Sequence, residues 1–395
     1  MSKPFQIAVV STTFYIRSHS DVIATRWTTP RPADPIWGWS GPSSQLASIH
    51  IEQITERDTG VAWAKENNIP LMGSIEEAIT LGTGNIAVNA VLIIGEHGDY
   101  PQNEYDQKTY PRKRLFDSVV AVFKKYGKVL PVFNDKHYSY NPEWAVEMYQ
   151  TAKAMGFPLL GGSSIPHTPF EPEPDLARGF KPRKALSVYY GDKEAYLYHS
   201  YEFAQSILEK RAGGEAGIRG ITVYTGEQVW DELEKRFGNE LLDAAISRGR
   251  KINPGDRREN CAKAQRQPMP ILTIAHHADG LESGHVNLSG HCEGWSTAIE
   301  TEDGRIHSTG ATDGGEDVWY AHFATFSKLI EEFFKTGKYP FASERALLTS
   351  VATDLSLYAF MEPGKPLETP LAMIPYQPLP QDAYYHPKVK ADRKF

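Results

Sequence analysis

The segment FNDKHYSYNPEWAVEMYQTAKAMGFPLLGG, Phe133 to Gly162, decides how the chain is read. A short apolar run, Val129 to Phe133, ends in four consecutive polar residues: Asn134, Asp135, Lys136 and His137. A helical stretch then opens with Pro142 and closes at Gly156, where proline's fixed φ and glycine's freedom suit a helix start and stop. A second apolar run, Pro158 to Gly162, completes a strand–helix–strand unit. Such units gather ligand-facing residues at the carboxyl ends of their strands. The run Asn134–His137 is therefore either an ordinary solvated loop or the edge of an active site.

The same alternation extends back to the N-terminus. Phe5–Ser11, Leu46–Ile54 and Ala87–Gly95 read as strands, each followed by a helical pattern: Ser18–Trp27, Asp58–Asn68 and Arg114–Gly127. This predicts a Rossmann-like, doubly wound parallel sheet over residues 1–165 of an α/β protein. Its carboxyl edge would collect Ser11–Tyr15, Gly95–Tyr100 and Asn134–His137. Beyond about Pro169 the texture changes. A proline-rich crossover, a helix carrying Tyr198, His199, Glu202 and Gln205, strand-like runs and a late helix (Tyr320–Gly337) follow. Strands without strict alternation predict an α+β domain with a large, mostly antiparallel sheet over 166–350. Residues 351–395, rich in proline and tyrosine, read as an extended tail on the body.

Composition narrows the class. The chain has 395 residues, long for one core, with 41% hydrophobic and 23% charged residues, which describes an ordinary globular protein of two domains. A net charge of −7 without a Lys/Arg stripe argues against nucleic acid as a partner. Two cysteines, Cys261 and Cys292, make neither a disulfide framework nor a cysteine zinc site. No run of apolar residues is long enough to span a membrane, and Met1–Phe5 leads straight into a strand, so the chain is read as cytoplasmic with a small-molecule partner. A large sheet with one uncovered face predicts a homo-oligomer.

The order of pieces resembles the glucose-fructose oxidoreductase/inositol dehydrogenase/MocA (Gfo/Idh/MocA) family. Members carry Glu-Lys-Pro at the end of the fifth strand, and the segment quoted above is similar to that unit, with Lys136 in the lysine position. The family's substrate-side histidine opens a helix of the second domain, often as Asp-x-Gly-x-His. AYLYHSYEFAQSILE is similar in position and places His199 there, with Ala195 where the aspartate would be. The resemblance implies an oxidoreductase acting on a sugar, polyol or related hydroxylated substrate, with NAD or NADP as cofactor. Lys136 and His199 would be the acid–base pair, and His137 beside them a further catalytic candidate.

One departure bears on the cofactor. The family's Gly-x-Gly-x-x-Gly turn, which brings backbone close to a pyrophosphate, is replaced here by Ser11, Thr13 and Ile16. A dinucleotide would have to be held by the hydroxyls of Ser11, Thr12 and Thr13, with Glu96 and His97 at the neighbouring strand end. The alternative is a divalent metal, zinc, manganese or iron, on Glu96, His97, His199 and Glu202, the last two lying on one helix face at i and i+3. On that reading the scaffold performs non-redox chemistry, as a lyase, hydratase or epimerase. A non-catalytic binding protein is a third class. The insertion Thr28–Gln45, with Trp37 and Trp39, suits either a sugar-stacking platform or a subunit interface.

Overall fold

The protein is described here by a computed structural model over residues 4–264, 270–315 and 318–380. The first half contains, in order, β1 (Phe5–Ser11), α1 (His19–Ala24), β2 (Ser44–Ile51), α2 (Gly60–Glu66), α3 (Ile75–Thr80), β3 (Ala90–Ile94), α4 (Arg112–Tyr126), β4 (Val132–Asp135), α5 (Pro142–Met155) and β5 (Leu159–Gly162). The five strands form one parallel sheet in the order β2-β1-β3-β4-β5. This is the expected Rossmann-like sheet. Leu71 adds a single parallel bridge to Ile49 outside β2. The quoted segment folds as its punctuation requires. Asn141 caps α5 by accepting from the Trp144 amide at 3.0 Å, Pro142 occupies the first turn, and Gly156 ends the helix at φ 74°.

A short turn, Ile165–His167, carries the chain into the second half. There follow β6 (Phe170–Glu171), β7 (Pro182–Tyr189), α6 (Ala195–Leu208), β8 (Ile218–Thr225), α7 (Gln228–Arg236), α8 (Asn239–Ile246), β9 (Lys251–Ile252), α9 (Arg257–Ala262), β10 (Ile271–His277), β11 (Glu282–Asn287), β12 (Cys292–Glu293), β13 (Ser296–Thr301), β14 (Ile306–Ala311), α10 (His322–Thr336), α11 (Ser343–Ala359) and β15 (Leu367–Glu368). Eight strands make the large sheet, in the order β15-β8-β10-β11-β7-β13-β14-β6. Every pairing in it is antiparallel except β7 with β11.

Three features depart from expectation. The large sheet has no bare face. Leu186, Val188, Leu272, Ile274 and Val286 pack under α7 and α8 through Trp230, Leu233, Phe237 and Leu242, while α6 and α11 cover the other side. The homo-oligomer was inferred from an uncovered face, and the chain's own helices remove that premise. Second, the extended tail does not begin at 351, because α11 runs to Ala359 with all but Glu344 and Tyr358 of its side chains buried. Only then does the chain lie extended, pairing β15 with β8 and bridging Tyr376 to Glu215; residues 381–395 lie outside the described residues. Third, the Thr28–Gln45 insertion offers no aromatic platform. Trp37 and Trp39 are buried, Trp39 stands edge-on to Trp27, and Thr325 of α10 donates to the Trp37 carbonyl at 2.8 Å. The insertion seats α10 against the parallel sheet.

Phe237 tests the α7–α8 cover. Its ring lies so close over Gly284 that a Cβ there would meet it at 2.7 Å. Phe237→Ala should cost about 3–5 kcal/mol, the usual result of emptying a ring-sized core site, read from urea unfolding. A loss below about 1 kcal/mol would mean that these helices do not cover the sheet.

Candidate active site

Two strand ends set the site by using an unusual backbone. His97, just after β3, and Lys136, just after β4, both have positive φ, 70° and 66°. For residues with a Cβ this conformation is costly and is held only where surroundings enforce it. For Lys136 the enforcing contacts are a bridge to Gly162 and a buried carboxylate, Glu96, whose Oε1 lies 3.8 Å from the lysine Nζ. Glu96 is also paired tightly with Arg112 at the start of α4. Burial alone would push the Glu96 carboxyl up, but the charges of Lys136 and Arg112 outweigh it and hold it well below the usual carboxylate range.

Lys136 reaches across to the second half of the chain, where its Nζ lies 3.0 Å from Nε2 of His199 on α6. The other ring nitrogen, Nδ1, is 2.5 Å from the Ser163 hydroxyl, just past β5. Burial and the adjacent lysine cation depress the His199 imidazole well below its ordinary value, so the ring is neutral. With lysine offering only donors, Nε2 accepts and Nδ1–H donates to Ser163. A second histidine stands opposite. His19, at the start of α1, places Nδ1 at 2.6 Å from Asp135, which leaves Nε2 for a ligand. These groups line a cavity of about 450 Å³ together with His97, Arg250, Asp313 and His322. Burial lowers His97 to about 4 and His322 to about 3, so both are neutral as well. Its apolar wall is aromatic, with Tyr196 stacked on Trp295 at 5.5 Å and Tyr190 beside them.

No protein-family model matches the sequence, and neither does any curated protein sequence. Solved structures do share its architecture. GenD2 from gentamicin A biosynthesis, solved in complex with NAD, superposes with a TM-score of 0.56 at 13% identity, over 93% of this chain and 97% of its own. Myo-inositol 2-dehydrogenase from Lactobacillus plantarum gives 0.55 at 10% identity, over 93% and 99%. A probable dehydrogenase from Thermotoga maritima gives 0.53 at 12%, over 94% and 100%. The fold is that of the Gfo/Idh/MocA-type dehydrogenases.

Within this fold, Glu96, His97, Lys136 and His199 meet at one cavity, and the other predicted site residues do not. His137 turns away behind Lys136, taking a hydrogen bond from Arg112 at 3.2 Å on Nε2, and lines no part of the cavity. Glu202 is one turn below His199, where it accepts from Thr349 at 2.7 Å and from the Ser163 amide at 3.2 Å beside Arg345. That removes it from the metal set, since its oxygens are spent on α11. Among the described residues no three His, Cys, Asp or Glu side chains are placed to share a metal ion. Ser11, Thr12 and Thr13 are buried and present nothing to the cavity. Ser11 Oγ meets the Thr13 carbonyl and Ser20, and Thr12 Oγ1 donates to the Glu96 carbonyl at 2.9 Å. At the end of β1 the glycine turn is absent, and the hydroxyls of Ser11 and Thr12 are already hydrogen-bonded within the chain. Arg250 and Asp313 carry no motif that would mark them as site residues, whereas the position of His19 at the start of the helix after the first strand places it at this edge from sequence alone.

Glu194, just ahead of α6, was also invisible in the sequence. Burial pushes its carboxyl up to about 7, and Oε1 faces neutral His137 at 3.6 Å without a hydrogen bond. A carboxyl raised in the folded state stabilises the fold below its unfolded pKa and loses that contribution as pH rises through the folded one. Stability should thus fall between about pH 4.5 and pH 7, by up to about 3 kcal/mol. Glu194→Gln should remove that slope. Urea midpoints measured across this range check it, and an unchanged slope in the variant would place the titration elsewhere.

Proposed function

We propose that this protein is an enzyme that moves protons at a carbinol or carbonyl carbon of a small, uncharged, carbohydrate-like substrate, with Lys136 and His199 as the acid–base pair. The observation that carries this reading is the 3.0 Å contact between Lys136 Nζ and His199 Nε2 at the floor of the cavity. Lysine has three N–H donors, so it can hold the imidazole and a substrate oxygen together. As charge develops on that oxygen, the lysine supplies a donor already in place and shielded from water. In the opposite sense, a proton leaving a substrate hydroxyl passes to Lys136 as the lysine gives one of its own to Nε2 of neutral His199, whose tautomer Ser163 fixes.

The substrate class rests on the cavity's chemistry. The neutral imidazoles of His97 and His322 suit hydroxyls, and the cavity's charged groups face one another, Lys136 and Glu96 at 3.8 Å and Arg250 and Asp313 at 3.3 Å, leaving no unpaired charge for a charged substrate to match. The Tyr196–Trp295 stack suits the apolar face of a sugar or cyclitol ring. The oxidoreductase reading draws its support from a fold shared with dehydrogenases, one of them named for myo-inositol. A redox-neutral reading draws its support from the closed turn after β1.

Lys136→Met keeps length and apolar stem while removing the charge. Turnover of the sugar or polyol that the wild type converts should fall by about two to four orders of magnitude, with unfolding still cooperative. Near-wild-type turnover by a folded variant would take Lys136 out of the mechanism.

A further inference from the structure

The crevice where a dinucleotide would lie in this fold is narrowed by the side chain of Phe14, which stands in place of the small residues of a glycine turn. In an open doubly wound sheet that crevice opens where the strand order reverses, here beside β1 between β2 and β3. On the β2 side the loop's carbonyls tie it down: Ser11 O accepts from Glu52 N at 2.9 Å and Thr12 O from Gln53 N at 2.8 Å, continuing the β1–β2 pairing, and Phe14 O accepts from Thr59 N at 3.0 Å. On the β3 side, Thr12 N donates to Ile94 O at 3.1 Å, and the Thr12 hydroxyl reaches the Glu96 carbonyl. Between them Phe14 is buried and stacks on Trp63 at 4.8 Å, so close to α2 that a Cβ on Gly60 would stand 2.5 Å from it.

The start of α1 is engaged as well. The α1 helix is only six residues long, and its first turn is served by its own side chains. Ser18 accepts from the Asp21 amide at 3.3 Å, and the Asp21 carboxylate accepts from the Arg17 amide at 2.7 Å. A carboxylate thus already serves the start of this helix, where a second anion would meet like charge. Glu52, the acid at the end of β2 and the natural partner for ribose hydroxyls, is bound by Arg114 at 2.6 Å and by the Tyr100 hydroxyl at 2.7 Å.

We infer that this protein works without a dinucleotide in that crevice and that its chemistry is redox-neutral: enolisation of an aldose or ketose, giving the carbonyl isomer. The inference rests on the acid–base reading above and adds a role for His19. In this step a C–H bond next to the substrate carbonyl breaks and its proton passes to Nε2 of His19, whose ring Asp135 orients. The electron pair becomes the enediolate C=C bond, and the carbonyl oxygen takes the negative charge against the Lys136 ammonium. Return of that proton from His19 to the neighbouring carbon on the same face, with a proton shift from one oxygen to the other through Lys136 and His199, completes the reaction. No electrons leave the substrate, so no oxidant or reductant is required.

Two measurements on the full-length protein test this. The first titrates NADH and NADPH by fluorescence and NAD and NADP by calorimetry, and no saturable binding is expected up to about 1 mM. The second incubates tetroses to hexoses, aldose and ketose, in D2O and follows loss of the α-proton by NMR. Exchange is expected for at least one sugar, falling at least about 100-fold in His19→Gln and in Lys136→Met. Dinucleotide binding on the order of 10 μM would overturn the narrowed crevice while leaving the acid–base pair standing. Exchange that survives Lys136→Met would overturn the acid–base pair, and exchange that survives only His19→Gln would overturn the role of His19. Absence of exchange with every sugar, together with no dinucleotide binding, would overturn the enolisation step.

Discussion

The buried carboxylate of Glu96 is the constraint from which the site follows. An isolated charge in a protein interior costs several kcal/mol and survives only if paired. Glu96 is 5% exposed and obtains its pairing from Arg112 at the head of α4 and Lys136 at the end of β4. Three elements are thereby tied at the carboxyl edge of the parallel sheet. The tie helps keep Lys136 in a left-handed conformation that its Cβ resists, and that conformation aims the ammonium at α6. Removing either cation would unbalance the carboxylate, and removing the carboxylate would leave two cations crowded together.

The chemistry and the departure from the dehydrogenase pattern share one origin, the edge formed by the ends of β1, β3 and β4. In place of a glycine turn, the Ser11–Phe14 loop is tied through its carbonyls to the end of β2 and the start of α2, and through Thr12 to the end of β3. The polar groups that this edge presents to the cavity include His19, the ammonium of Lys136 and the ring of His97.

The parallel sheet was legible because its strands are apolar runs bounded by Pro142, Gly127 and Gly156, whose backbone preferences act locally. The meeting of Lys136 with His199 was legible because topology alone sends a strand's end and the second domain's first long helix to the same edge. His19–Asp135 was not, since the pair spans 116 residues and depends on how α1 lies over β4. Nor was the fate of Glu202. Its spacing from His199 puts both on one face of α6, yet a single helical turn separates a cavity-facing ring from a carboxylate turned to α11. The cover of α7 and α8 escaped notice because both are short. α11 escaped because a helix surrounded on all sides has no polar stripe to give it a period.

That enclosed helix sets the mechanics of the molecule. α11 packs on α5 and β5 of the parallel sheet and on α6 and β8 of the large one. Ser350 accepts from the Tyr138 amide at 3.0 Å and Asp354 from Gln107 at 2.8 Å on one side, while Thr349 bonds Glu202 on the other. A hinge between the two halves would have to break these hydrogen bonds and expose the buried sides of α11 to water. The helix is thus a rivet through both sheets, and the cost of pulling it out opposes any jaw-like opening of the molecule.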